Sequence, residues 1–412
     1  MNINSTSFFN FDTQRVSSPC FVVDQAVIEQ NLQTLHHVKQ ASGAKVLLAL
    51  KAFSMFALAP LITQYLDGCC ASGLHEALLA HREFNGKFSG EQKREVHVYA
   101  PAFKQQELQG LCEFVDHLVL NSFSQWQRFK PDILHAQKRR PELQCGLRIN
   151  PMLSLGETPL YDPCAPQSRL GIPIDTFKQQ MESAIDIEGI SGLHFHSLCQ
   201  QGFKPLAQTL DVIEREIGEY LPSFSWLNFG GGHHITGAGY DSEALIEKIK
   251  SFQRKYQLQV YLEPGEAIAI HSGVLVSEVL DLSRNSVDLA ILDTSATCHM
   301  PDTLEMPYRA EILLDSRHQG PRVAGRLGEK PYGYRLGGQT CLAGDVIGDY
   351  SFDQALRVGQ RLMFDDMAHY TMVKTNTFNG IGLPDIALWD SRTDKLTMIR
   401  QFGYADFAQR LS

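Results

Sequence analysis

The run VLLALKAF at residues 46–53 decides the fold: an unbroken set of apolar residues, Val46 to Leu50, meets a lysine, Lys51. A short apolar run without alternation reads as a strand buried on both faces, the kind found in parallel sheets. Upstream, AVIEQNLQTLHHVKQ (26–40) carries Val27, Ile28, Leu32 and Leu35 at helical spacing. Downstream, the helical text LAPLITQYL (58–66) is followed by GCCAS (68–72) and by a second helical stretch, LHEALLAHREF (74–84). The alternation then repeats. VHVYA (96–100), HLVLNS (117–122), LQCGLRIN (143–150), GISGLHFHS (189–197), WLNFGG (226–231) and LQVYLEPG (258–265) are short apolar runs that end on polar residues or glycine. Strands alternating with helices imply a parallel α/β sheet. With CFVVD (20–24) as an early β-branched run, about eight such units fall between residues 21 and 265, the size of a (β/α)8 TIM-like barrel.

Beyond Gly265 the helical periodicity fades. SGVLVSEVLDL (272–282), VDLAILDT (287–294), RAEILLD (309–315), YRLGGQTC (334–341) and QRLMFDD (360–366) read as strands between turns. The expectation is a barrel over 21–265 and a mostly β domain over 266–412, joined by residues 1–20.

The chain has 412 residues and a formal net charge of -9, which argues against nucleic acid or an anionic membrane as partner. It suits a cationic small molecule. Nine cysteines, an odd number that includes the neighbours Cys69 and Cys70, read as reduced thiols and place the chain in the cytoplasm. Met1 to Asn10 has no basic, apolar leader, and no apolar run approaches the roughly 20 residues of a membrane helix.

A barrel carries its active site at the C-terminal ends of its strands, and the unusual polar residues fall there. Lys51 ends an apolar strand, where partial desolvation favours the neutral amine that attacks an aldehyde. A lone lysine in that place ordinarily just snorkels to water. His194 and His196 flank Phe195, and the strand period is expected to turn one inward and one outward. An inward histidine can stack on a flat cofactor. Gly230-Gly231-Gly232 lets backbone N–H groups approach a phosphate. Glu263, before Pro264-Gly265, can hold a proton on a pyridine nitrogen. Each feature has an ordinary structural reading. Together they supply an amine, a stacking group, a phosphate cradle and a pyridinium partner in barrel order.

The sequence resembles the fold-type III pyridoxal-phosphate decarboxylases, which include ornithine and diaminopimelate decarboxylases. Within them it is most similar to the carboxynorspermidine (carboxyspermidine) decarboxylases. The resemblance lies in ALKAF (49–53), ASGLHE (71–76), HFHSLCQ (194–200), NFGGGHHIT (228–236), LEPGEA (262–267), MPDTLEMPY (300–308), GGQTCLAGD (337–345) and DDMAHYTM (365–372). It implies that Lys51 links covalently to pyridoxal 5'-phosphate and that His196 stacks on the ring. Glu263 is implied to pair with the ring nitrogen, with Gly231, Gly232 and Tyr370 at the phosphate. Cys341 is implied to act from the partner subunit of a homodimer, near the reacting carbon. No metal is expected.

Two departures from the family pattern bear on substrate. Ser197-Leu198-Cys199 replaces the usual Gly-Ser pair after the stacking histidine. Glu266 replaces the usual arginine after Glu-Pro-Gly. A carboxylate there suits a substrate whose amines lie away from its reacting centre. Glu266, Asp302 and Glu305, with Asp345 in its motif, are therefore the candidates for holding those amines. The alternatives are a decarboxylase for diaminopimelate or another basic amino acid, an amino-acid racemase and a non-catalytic relative. A racemase of this fold generally pairs the ring nitrogen with arginine, so Glu263 speaks against it.

Overall fold

The computed structural model describes residues 6–85, 93–156, 158–315, 317 and 322–412. Two compact units divide the chain, Glu29–Ile268 and Met1–Ile28 with Ala269–Ser412. The early strands are β1 (Cys20–Asp24), β2 (Lys45–Ala49), β3 (Gly68–Ala71), β4 (Glu95–Tyr99) and β5 (His117–Leu120). They are followed by β6 (Gln144–Asn150), β7 (Ile172–Pro173), β8 (Ile190–His194), β9 (Trp226–Asn228) and β10 (Gln259–Leu262).

In the first unit, β2 to β6 and β8 to β10 pair in parallel and close into an eight-stranded barrel, with β7 appended to β6. Tyr261 against Lys45 and His117 against Gln144 are among the pairs that join the ring. Helices return the chain between strands. That over Phe203–Ile217 buries Leu206, Leu210, Ile213 and Ile217, an apolar stripe at helical spacing. Inside the barrel, Trp226 takes the space left by two glycines. A Cβ at Gly146 would lie 2.3 Å from the indole, and one at Gly192 would lie 2.0 Å from it. Beside this apolar packing the interior holds buried polar residues, where barrels usually carry branched aliphatic residues. His97 and His117, both buried, stack with ring centres 3.8 Å apart. His97 Nε2 lies 2.8 Å from Glu95, which also pairs with Lys45.

The second unit is mostly sheet. Its strands are β1, β11 (Gly273–Asn285), β12 (Val287–Leu292), β13 (Ile312–Leu313), β14 (Gly325–Arg326), β15 (Tyr332–Gly337), β16 (Val346–Phe352), β17 (Arg361–Phe364), β18 (Asp385–Asp390) and β19 (Lys395–Arg400). The main order is β14-β16-β15-β12-β11-β1-β18-β19. Phe8, Phe11, Val22, Val274, Met363 and Trp389 lie in its core.

One strand lies elsewhere than expected. CFVVD does not open the barrel: β1 runs between β11 and β18 of the second sheet, antiparallel to the first and parallel to the second. Every residue of β1 is buried, so it lacks the alternation that would distinguish it from a barrel strand. The barrel begins instead at Lys45, and GCCAS supplies one of its strands as β3.

Candidate active site

Lys51 lies two residues beyond β2, at the C-terminal mouth of the barrel. The turn is held by the Leu50 N–H, which donates to the Cys70 carbonyl at 3.0 Å, and by the Ala52 N–H, which donates to the Ala49 carbonyl at 3.1 Å. Around Lys51, one cavity is lined by Cys70 of β3 and Ser72 just beyond it, by Tyr99 of β4, by Arg148 of β6, and by His194, His196 and Glu263. Lys51 is exposed in this mouth. The surrounding barrel wall still lowers its amine from the usual lysine range; burial is the main cause, and the Arg148 cation adds to it.

The two histidines correct the sequence reading. Residues two apart in a strand share a face. His194 and His196 accordingly both line the cavity, while Phe195 is fully buried on the other side. His196 accepts the Gly231 N–H on Nδ1 at 3.0 Å. Burial, then the Lys51 and Arg148 cations, hold its pKa well below the ordinary histidine value, so it is the neutral imidazole.

Glu263 follows β10. Its Oε1 accepts from Asn228 Nδ2 at 2.7 Å, and its Oε2 lies 3.1 Å from His194 Nε2. Burial alone would raise its pKa, but His194 and the nearby cations outweigh burial and hold it down at about 2. Asn228 Oδ1 in turn accepts the Gly230 N–H at 2.8 Å. The acid, the imidazole and the glycine turn thus form one connected assembly.

That turn admits no side chains. A Cβ at Gly231 would lie 2.1 Å from the Glu263 carbonyl, and one at Gly232 would lie 2.0 Å from the Leu198 carbonyl. Gly230 and Gly232 also have φ of +68° and +82°, in the region that favours glycine. The Gly230 and Gly231 N–H groups are engaged by Asn228 and His196, which leaves Gly232 as the triplet's donor toward a ligand.

Glu266 lies just beyond, in the helix Glu266–Ala269. Its Oε1 accepts from Gln200 Nε2 at 2.9 Å and lies 3.4 Å from His234 Nε2.

The remaining candidates belong to the sheet unit. Cys341 is exposed, and its N–H donates to Asn379 Oδ1 at 2.9 Å. Tyr370 holds φ of +47°, a strained backbone for an aromatic residue. Lys374 Nζ donates to Glu305 Oε2 at 2.8 Å and also to Asp302, so both carboxylates bind an ammonium of the chain itself. Asp345 is a correction: it is 5% exposed and serves the fold. It accepts from Ser295 Oγ at 2.9 Å, the Ala296 N–H at 2.8 Å and Thr340 Oγ1 at 2.6 Å. It anchors the loop that carries Cys341 and has no place for a substrate amine.

Sequence reasoning missed Cys70, Tyr99, Arg148 and Asn228. The available signal was a polar or thiol side chain inside an otherwise apolar strand.

Comparison with known proteins gives the same picture. A family model described as pyridoxal-dependent decarboxylase, C-terminal sheet domain, matches residues 20–368. The chain is 41% identical over 400 residues to a carboxynorspermidine/carboxyspermidine decarboxylase of Campylobacter jejuni, covering 96% of this chain and 99% of that one. It is 43% identical over 396 residues to a carboxyaminopropylagmatine decarboxylase of Synechocystis, covering 96% and 95%. The crystal structure of the carboxynorspermidine decarboxylase from C. jejuni, complexed with norspermidine, is similar at a TM-score of 0.81 and 40% identity, over 96% of this chain and 100% of that one. The diaminopimelate decarboxylase of Helicobacter pylori shares the fold, with a TM-score of 0.77 at 18% identity over 97% of each chain. On this match along most of its length, the chain belongs to the pyridoxal-dependent decarboxylases.

Proposed function

We propose that this chain decarboxylates carboxynorspermidine or carboxyspermidine, releasing norspermidine or spermidine, with pyridoxal phosphate bound through Lys51. The observation that carries the reading is the meeting of an amine, an imidazole and an ionised carboxylate in one barrel mouth. The residues present fit the cofactor. Lys51 would hold its aldehyde carbon, His196 would lie against its ring, and Glu263 would meet its ring nitrogen. Gly232 would donate its N–H to the phosphate, Gly231 would make room by lacking a side chain, and Tyr370 would add a hydroxyl. When bound, the cofactor supplies the electron sink for loss of CO2.

The chain's own residues do the rest. The lowered pKa of Lys51 leaves more of its amine neutral, and therefore nucleophilic, at working pH. The Gly231 N–H fixes the His196 ring, so the stacking group cannot rotate away. Glu263 stays ionised and would keep a proton on the ring nitrogen, which would hold the sink at full strength. Cys341 from a second copy of the chain would return a proton to the reacting carbon. The assembly is a homodimer in this reading. Glu266, Asp302 and Glu305 would hold the distal amines, with the substrate displacing Lys374 from the latter pair. The cytoplasm is the proposed location, consistent with there being no helix among the described residues long and apolar enough to cross a membrane.

The Synechocystis relative supports a second reading, carboxyaminopropylagmatine, in which a guanidinium takes the place of the distal amine. Purified protein supplied separately with carboxynorspermidine, carboxyspermidine, carboxyaminopropylagmatine, diaminopimelate and ornithine, with CO2 trapped, decides between them. Highest kcat/KM on the first two is expected. A preference for the third would select the second reading, and a preference for diaminopimelate or ornithine would overturn both.

A further inference from the structure

His194 is 2% exposed, and its Nδ1 has no hydrogen-bond partner. A buried polar atom left unpaired is uncommon and calls for a reason. The reason lies at the other ring nitrogen. Nε2 is 3.1 Å from Glu263 Oε2, while Asn228 Nδ2 donates to Oε1 at 2.7 Å. An ionised carboxylate only accepts, so Nε2 carries the hydrogen. With a single proton on the ring, Nδ1 is then the bare nitrogen.

The ring cannot readily swing to satisfy Nδ1. It stacks on Tyr99 at 5.6 Å between centres and 21° between planes. Tyr99 is itself pinned, with its hydroxyl donating to Asn121 Oδ1 at 2.7 Å and the Arg148 guanidinium 4.4 Å from its ring centre. The groups facing this pair also oppose a second proton on His194. Arg148 is a cation, Lys51 adds positive charge whenever it is protonated, and His97 and His196 add no negative charge. Glu263 itself favours the proton, and Cys70 is held as the neutral thiol.

We infer that His194 is a positioning residue, whose Nε2–H fixes the orientation of the Glu263 carboxylate and holds it ionised toward the cofactor's ring nitrogen. The inference rests on the proposal that Glu263 meets that nitrogen. The hydrogen bond from His194 is among the causes that hold the Glu263 pKa down against burial, which agrees with it.

The test uses the full chain as purified. Nitrogen-15 NMR of labelled histidine reads the tautomer without any substitution. The Nε2–H form is expected at His194, and the Nδ1–H form would overturn the inference. Carbon-13 NMR of labelled glutamate, assigned by the signal lost in Glu263→Gln, then follows the carboxylate through pH. His194→Phe keeps a ring against Tyr99 but removes the donor, while His194→Gln retains one. The Glu263 signal should titrate at higher pH in His194→Phe and return toward wild type in His194→Gln. An unchanged titration in His194→Phe would refute the inference. In cofactor-loaded enzyme, His194→Phe should lower kcat about tenfold or more with KM little changed, the scale of one lost hydrogen bond to a charge. A chain that binds no cofactor would refute the functional proposal, while the two NMR readouts would still decide the role of His194.

Discussion

Gly231 and His196 are one unit: the glycine N–H donates to the imidazole Nδ1 at 3.0 Å, so the turn that limits the space also aims the ring. Gly231→Ala should disturb both. Its Cβ would fall 2.1 Å from the Glu263 carbonyl, a backbone atom that cannot yield as a side chain end can. Overpacking of this kind costs roughly 1–3 kcal/mol, so cofactor affinity should fall about tenfold or more. Equilibrium dialysis against pyridoxal phosphate measures it, and unchanged affinity would mean the turn has more freedom than its contacts allow.

Lys51 carries the covalent link in the proposed reading. Purified protein should absorb in the visible range, and Lys51→Ala should lose that band on dialysis. A borohydride-reducible adduct that persists in Lys51→Ala would put the link on another amine.

Asp345 should matter for the fold and not for substrate. Asp345→Asn cannot accept on both side-chain positions, and it leaves buried donors near Ser295, Ala296 and Thr340 without their partner. A loss of about 2–4 kcal/mol in unfolding free energy is expected. Denaturant titration reads the loss, and KM of the surviving folded fraction should stay at the wild-type value. A raised KM with unchanged stability would return Asp345 to the substrate.

Glu266→Gln tests the distal-amine proposal. A desolvated contact between charges is worth roughly 2–5 kcal/mol, so kcat/KM for carboxynorspermidine should drop at least about tenfold. Cofactor affinity should be little changed. A mutant that loses the cofactor and keeps its substrate preference would make Glu266 part of the phosphate end of the site.

Acid should weaken the barrel through several groups, among them His117 and Glu263. Burial, reinforced by the neighbouring His97, pushes the His117 pKa well below its ordinary 6.5. The unfolded chain therefore binds this proton first, and stability is lost as pH falls below about 6.5. Glu263 behaves likewise at lower pH: its contribution is complete above the ordinary glutamate range and disappears as pH falls toward about 2. Urea midpoints measured down from neutral pH should fall in both windows, and His117→Phe should flatten the upper one. An unaltered slope in that mutant would assign the acid sensitivity elsewhere.

Most of the barrel was legible because its strands are buried on both faces and bounded by helical text. Lys51 and Glu263 could be found because each breaks an apolar run at its end. Arg148, inside LQCGLRIN, escaped because it interrupts its run before the end, and Tyr99, at the end of β4, escaped because a tyrosine reads as part of an apolar run. β1 was misassigned for a related reason. A fully buried strand has the same appearance in either sheet, and only its partners, β11 and β18, distinguish them. Asp345 was misread because a carboxylate in a glycine-rich loop looks the same from the sequence whether it faces water or several of the chain's own donors.

The position of β1 has a consequence for how the protein is made. Its five residues leave the ribosome well before their neighbours in the sheet, Gly273–Asn285 and Asp385–Asp390. The barrel's strands all lie between Lys45 and Leu262, so that unit can close while synthesis continues. The sheet unit must keep a fully buried strand without its second neighbour until Asp385–Asp390 has been made. During that interval CFVVD lacks a strand partner, and the unit begun first is the one completed last.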